Sequence, residues 1–209
     1  MTRLVVLSAG LGVPSSTTLL ADRLAAAVVR RLGGEAGGRV DVERVELRRL
    51  AHPLADRLTT GFAGEELAAA LEAVHGADAL VAVTPVYAAS YSGLFKTFVD
   101  VLDRDALEGT PVVVAATGGT PRHSMVLDHA LRPLFAHLRA VVAPTGVFAA
   151  TDDFGDAGLD DRVERAAGEL VALLSGTATT RTRPTEDERR ADPTPFEELL
   201  RRAGAGPTG

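Results

Sequence analysis

Apolar residues recur along this chain in two rhythms. Leu4-Val5-Val6-Leu7, Ala79-Leu80-Val81-Ala82-Val83 and Val112-Val113-Val114-Ala115-Ala116 are continuous apolar runs. Runs of that length without polar alternation predict strands covered on both faces. Val40 to Val45 roughly alternates apolar and polar side chains, as an outer strand does. Val141-Val142 leading to Val147-Phe148 predicts a fifth strand, interrupted by Pro144 and Gly146. The second rhythm is helical. Thr17 to Leu32 places Leu20, Leu24 and Val28 on one face, and Gly33-Gly34 predicts its stop. Glu65–His75, Leu94–Leu102, Met125–Leu138 and Leu159–Leu174 continue the series. Five strands alternating with five helices predict βαβ units and a parallel sheet. Right-handed crossovers then leave a doubly wound α/β sandwich of three layers.

Composition narrows the reading. The 209 residues suit one domain with an appendage. Residues 176–209 hold few large apolar side chains beyond Phe196, Leu199 and Leu200, and their charges cancel. The sequence therefore predicts a folded domain over 1–175 and a polar, largely disordered tail over 176–209. Within the tail, Thr194-Pro195-Phe196-Glu197 has capping-box spacing and predicts a short helix at 195–203. The formal net charge of −6 argues against nucleic acid as a partner. No apolar run reaches the roughly 18 residues of a membrane span, so no membrane partner is expected. The absence of cysteine excludes disulfides and thiolate chemistry. It also fits a reducing cytoplasm. The apolar run after Arg3 is too short for a signal-peptide core.

Ligands of open α/β sheets bind beyond the carboxyl ends of the strands. Three loops leave such ends. Ser8 to Thr18 has glycines for tight turns and four hydroxyl residues, Ser15, Ser16, Thr17 and Thr18, opening a helix. Hydroxyls and amides at a helix start suit a phosphate. The loop is neither a GxxxxGK[ST] phosphate loop nor a GxGxxG fingerprint. Thr84 to Thr97 carries both tyrosines, Tyr87 and Tyr91, and the only lysine, Lys96. A tyrosine offers a flat face for stacking on a ring. Thr117-Gly118-Gly119-Thr120-Pro121-Arg122-His123 leaves a buried strand with paired glycines, which admit a close backbone approach. His123, His129 and His137 do not share a helix face, so no metal site is expected. No carboxylate pair or nucleophile elbow argues for side-chain catalysis.

Taken together, these loops resemble the NADPH-dependent FMN reductases, the alkanesulfonate-type flavin reductases of two-component monooxygenases in particular. Thr84-Pro85-Val86-Tyr87, Tyr91-Ser92-Gly93, Leu94-Phe95-Lys96-Thr97 and Ala116-Thr117-Gly118-Gly119-Thr120 stand in the family's order. His123, Asp128-His129-Ala130-Leu131-Arg132-Pro133 and Pro14-Ser15-Ser16-Thr17-Thr18-Leu19-Leu20 also fit. The resemblance covers residues 3 to about 150. It implies a flavodoxin-like fold with five parallel strands in the order 2-1-3-4-5. It implies that Ser15, Ser16, Thr17 and Thr18 hold the FMN phosphate, with Ser8 also among the cofactor-binding residues. Pro85, Val86, Tyr87 and Ala88 would line the flavin ring, with Thr117, Gly118, Gly119 and His123 at its other edge. Tyr91 would match a tyrosine in an inserted helical turn at a subunit interface, tied to flavin release. Where the family usually has Gly-Ser-x-Arg after the first strand, this chain has Ala9-Gly10-Leu11-Gly12. Arg122 is a candidate for the missing charge.

The implied reaction passes hydride from NADPH or NADH to FMN, held loosely or used as a substrate, with no catalytic side chain. FMNH₂ would pass to a partner monooxygenase, and the protein would be a homodimer or homotetramer. The rival readings are a bound-flavin quinone or azo-type reductase and a non-enzymatic flavodoxin-like electron carrier.

Overall fold

The computed structural model describes residues 1–36 and 39–177, together with Glu198. The chain divides into two units, Met1–Thr179 and Thr180–Gly209. The helix expected at 195–203, apart from Glu198, lies outside the described residues.

The first unit holds one sheet. Its strands are β1 (Thr2–Ser8), β2 (Val40–Glu46), β3 (Ala79–Tyr87), β4 (Ser90–Tyr91), β5 (Pro111–Gly118), β6 (Val141–Val142) and β7 (Val147–Ala150). The order β2-β1-β3-β5-β6 is parallel throughout, and β7 also pairs parallel with β5. This is the expected 2-1-3-4-5 arrangement with seven strands in place of five. The two additions have separate causes. The fifth strand breaks where Pro144 removes a donor, so β6 and β7 both lean on β5. The short β4 folds back antiparallel on β3, pairing Val86 with Tyr91 and Tyr87 with Ser90.

The helices are α1 (Ser16–Ala36), α2 (Ala51–Thr60), α3 (Glu65–His75), α4 (Gly93–Asp100), α5 (Arg132–His137) and α6 (Ala157–Thr177). Side chains alternate along each buried strand between two cores. Val5, Leu7, Leu80, Ala82, Val112 and Val114 face the core that holds Leu67, Phe95, Phe98 and Phe135. Leu4, Val6, Val81, Val83, Val113 and Ala115 face the core under α1 and α6, with Leu20, Leu24, Leu159 and Leu170. The continuous apolar runs are thus strands with both pleat faces buried.

Three local expectations change. Helix α1 runs through Gly33-Gly34 instead of stopping there. Glycine inside a helix costs about 1 kcal/mol, which an otherwise well-packed helix absorbs. Helix α2 has no counterpart in the sequence reading. Only Leu54 is buried in it, so its apolar spacing is faint. The segment Leu127–Leu131, before α5, winds as a π-helix rather than an α-helix.

Helices α1 and α6 are also joined by charge. Arg30 and Arg31 both reach Glu164. The hydrogen bond from Arg30 holds the Glu164 carboxyl below its ordinary range. All three side chains are partly exposed, so water screens the gain.

The β3–β4 hairpin turns through Ala88 and Ala89, with φ of 48° and 64°. Positive φ at both central residues is the type I′ pattern, normally filled by Asn-Gly. An L-residue there costs on the order of 1 kcal/mol. Ala89→Gly is therefore expected to stabilise the protein by about 0.5–1 kcal/mol, read from urea unfolding.

Candidate functional site

Strand order reverses between β1 and β3, and the loops after β1, β3 and β5 meet at their carboxyl ends. Buried polar side chains gather at the same edge. Among the described residues, the buried polar side chains are Ser8, Thr17, Thr84, Ser92, Thr110 and Thr117, all hydroxyls. Thr110 lies before β5; Thr84 lies in the carboxyl half of β3, and the other four stand at or beside strand ends or helix starts on the carboxyl edge.

Their hydrogen bonds fix the three loops. Thr17 Oγ1 and Thr117 Oγ1 lie 2.7 Å apart and buried, joining the start of α1 to the end of β5. Ser8 Oγ and Thr18 Oγ1 lie 3.3 Å apart. Thr18 N donates to Ser15 Oγ at 3.2 Å, so Ser15 caps α1. Leu19 N donates to Ser15 O. The amides of Ser16 and Thr17 remain as first-turn donors with no carbonyl inside the helix. On the second loop, Ser92 N donates to Thr84 Oγ1 and Phe95 N donates to Ser92 Oγ. The end of β3 is thereby tied to the start of α4. No buried side-chain polar atom among the described residues lacks a partner.

Two glycines shape the crevice. A Cβ on Gly10 would lie 2.1 Å from Ser15 Oγ. A Cβ on Gly118 would lie 3.0 Å from Phe148 Cζ. The first keeps room for the hydroxyl cradle, and the second lets β5 end against β7.

The expected site residues fall as follows. Ser8, Ser15, Ser16, Thr17 and Thr18 form one cradle, tied to Thr117 by the hydroxyl pair. Pro85, Val86, Tyr87 and Ala88 lie at the end of β3 and its turn, and Tyr87 is half-exposed. Gly118 ends β5 and Gly119 and His123 follow it, with His123 exposed on the turn Pro121–His123. Tyr91 stands on β4, opposite Val86, with its ring 6.1 Å from that of Phe95. It is not on an inserted helical turn. The π-helix among the described residues is Leu127–Leu131. The sequence reading missed the hydroxyl pair Thr84–Ser92, although Thr-Pro at a strand end is a visible signal.

The loops offer hydroxyls, amides and flat apolar surface, and neither a nucleophile nor a carboxylate pair. That donor set fits a phosphorylated, ring-bearing ligand, and bulk added at Gly10 would collide with its Ser15 hydroxyl. Gly10→Ala is expected to push Ser15 Oγ off Thr18 N and cost about 1 kcal/mol of stability, the size of a lost helix cap. Denaturant unfolding checks this.

The chain is similar to known proteins in sequence and in fold. An NADH-dependent FMN reductase, SfnF, of Pseudomonas fluorescens is 40% identical over 181 residues, covering 84% of this chain and 92% of its own. An FMN reductase (NADPH) of Pseudomonas aeruginosa is 39% identical over 179 residues, covering 83% of this chain and 93% of its own. Among solved structures, an oxidoreductase from Corynebacterium diphtheriae superposes with a TM-score of 0.81 at 48% identity, covering 84% of this chain and 98% of its own. The apo form of the NADH:FMN oxidoreductase EmoB superposes with a TM-score of 0.72 at 26% identity, covering 95% of this chain and all of its own. The model of NADPH-dependent FMN reductases matches residues 2–155, and with a flavodoxin-like fold beneath this site, the chain belongs to that family of NAD(P)H:FMN oxidoreductases.

Proposed function

We propose that this chain reduces free FMN with NADH or NADPH at the carboxyl edge of its sheet and passes the reduced flavin to a monooxygenase. The carrying observation is the meeting of three loops, rich in hydroxyls and bare of acid–base pairs, around one strand-end crevice. A site of that kind binds and orients, and leaves the redox chemistry to what it binds.

FMN supplies a ring that accepts hydride. The chain's residues hold it. Ser15, Ser16, Thr17 and Thr18 offer hydroxyls and first-turn amides to the phosphate, with Ser8 behind them. Pro85, Val86, Tyr87 and Ala88 offer an edge of extended backbone to the ring. Gly118 and Gly119 admit its far side, next to His123. Tyr91 supports the ring-lining edge by pairing with Val86 and leaning on Phe95, and we assign flavin release to the same segment. Backbone donors at these edges would stabilise negative charge on the reduced ring.

The site belongs at a subunit interface of a dimer or tetramer. Leu11 and Val13 on the first loop, Tyr87 on the second and Met125 after the third are large apolar groups left half-exposed or more. Apolar surface gathered on binding loops marks a contact surface. No helix among the described residues is long and apolar enough to cross a membrane. With no cysteine to protect, the reducing cytoplasm suits the protein.

The test is reduced-nicotinamide oxidation by purified protein, with and without added FMN. Colourless protein whose activity depends on added FMN is the expected result. Yellow protein that ignores free FMN but reduces a quinone or azo dye would replace this reading with a bound-flavin reductase. The pyridine nucleotide follows from running NADH and NADPH side by side.

A further inference from the structure

Cations near the carboxyl edge are almost all committed. Arg48 and Arg49 pair with Glu46. Arg162 pairs with Asp153. Arg23 pairs with Asp160, and its guanidinium stands 5.5 Å from the centre of the Phe154 ring. The loops 8–18 and 84–93 carry no ionisable side chain except tyrosine. Of the three loops, only the one after β5 carries an arginine, Arg122. Arg122 is exposed and lies on the 3₁₀ turn Pro121–His123. Among the described residues no carboxylate lies within ion-pair distance of it, while ten other ion pairs form.

The turn follows directly on the end of β5 that is tied to the site. Gly118 sits beside His123, whose Cβ would lie 3.8 Å from a Cβ at that glycine. Thr117, one residue earlier, is bonded to Thr17 in the hydroxyl cradle. An unpaired guanidinium is thus carried on a short, Pro-started turn next to an otherwise uncharged anion cradle.

We propose that Arg122 is the residue that reads a phosphate monoester at this site. The assignment rests on the FMN reductase reading above. A guanidinium meets a phosphate with two parallel charge-assisted hydrogen bonds. The ligand group is the flavin 5′-phosphate or the 2′-phosphate that separates NADPH from NADH. In either case Arg122 sets specificity, because the rest of the cradle holds neutral donors that serve a ligand with or without that charge.

The test is equilibrium binding by wild type, Arg122→Ala and Arg122→Lys. FMN and riboflavin are titrated by flavin fluorescence, and NADP⁺ and NAD⁺ by calorimetry. Arg122→Ala is expected to weaken the phosphate-bearing member of a pair about ten-fold and leave the other member unchanged. A loss confined to FMN identifies the flavin phosphate as the ligand, and a loss confined to NADP⁺ identifies the 2′-phosphate. Arg122→Lys should recover part of the loss, and added salt should shrink the wild-type preference. Wild type that binds FMN while Arg122→Ala binds each of the four ligands as tightly as wild type does overturns this assignment alone. So does an equal loss for both members of a pair. Wild type that binds neither flavin overturns the reductase reading and this assignment with it.

Discussion

A sheet buried on both faces leaves a side-chain hydroxyl few places to go, and that constraint organises this protein. A buried hydroxyl without a partner costs about 1–3 kcal/mol. Strand interiors here are mostly Val, Leu and Ala, whose side chains have nothing to donate. Hydroxyls are tolerated where a strand stops and a helix starts, because loose backbone groups lie within reach. Ser8, Thr84 and Thr117 therefore sit near strand ends, and Thr17 and Ser92 at or beside helix starts. The Thr17–Thr117 bond closes the set by linking two loops that flank β3. Stability and site geometry come from the same bonds. A change that loosens one hydroxyl moves a loop that lines this crevice.

The same constraint explains why the crevice lies at the switch between β1 and β3. The crossover from β1 goes out through α1 on one face, while the connections through α3 and α4 pack on the other. The two sets of loops diverge there, and the gap between them is lined by whatever the strand ends carry. Here they carry hydroxyls and glycine. Gly10 and Gly118 are small because Ser15 and Phe148 occupy the space a side chain would take.

Much of this was legible in the sequence, and the failures have physical causes. The long strands could be read because unbroken apolar runs have one common use in an α/β domain, burial on both sides. The cradle could be read because a row of hydroxyls exceeds what one helix cap requires. Helix α2 could not, since burial of Leu54 alone leaves no stripe to count. The β3–β4 hairpin was hidden because Ala88-Ala89 lacks the Asn or Gly that normally announces such a turn. Strain that tertiary contacts hold in place leaves no mark on local sequence. The Gly33-Gly34 stop failed for the opposite reason, since packing along α1 outweighed a local preference. The contact between Gly10 and Ser15 is likewise a matter of distance, and spacing alone says nothing of it.

In the proposed reading, the hydroxyl cradle, Arg122 apart, would also bear on how a flavin is held. A neutral hydrogen bond contributes about 1 kcal/mol net, and a charge-assisted one roughly twice that. Hydroxyls and amides therefore position a phosphate without fastening it. Differences in affinity between related complexes lie mostly in the dissociation rate, so a site built this way favours a ligand that leaves. Exposed Leu11, Val13 and Tyr87 add apolar surface around the crevice, which a second subunit would cover and dry. Drying strengthens each of those hydrogen bonds. Under that proposal, occupancy would depend on the neighbouring surface as much as on the cradle, and a protein that releases its reduced product would hold it only while the site is closed.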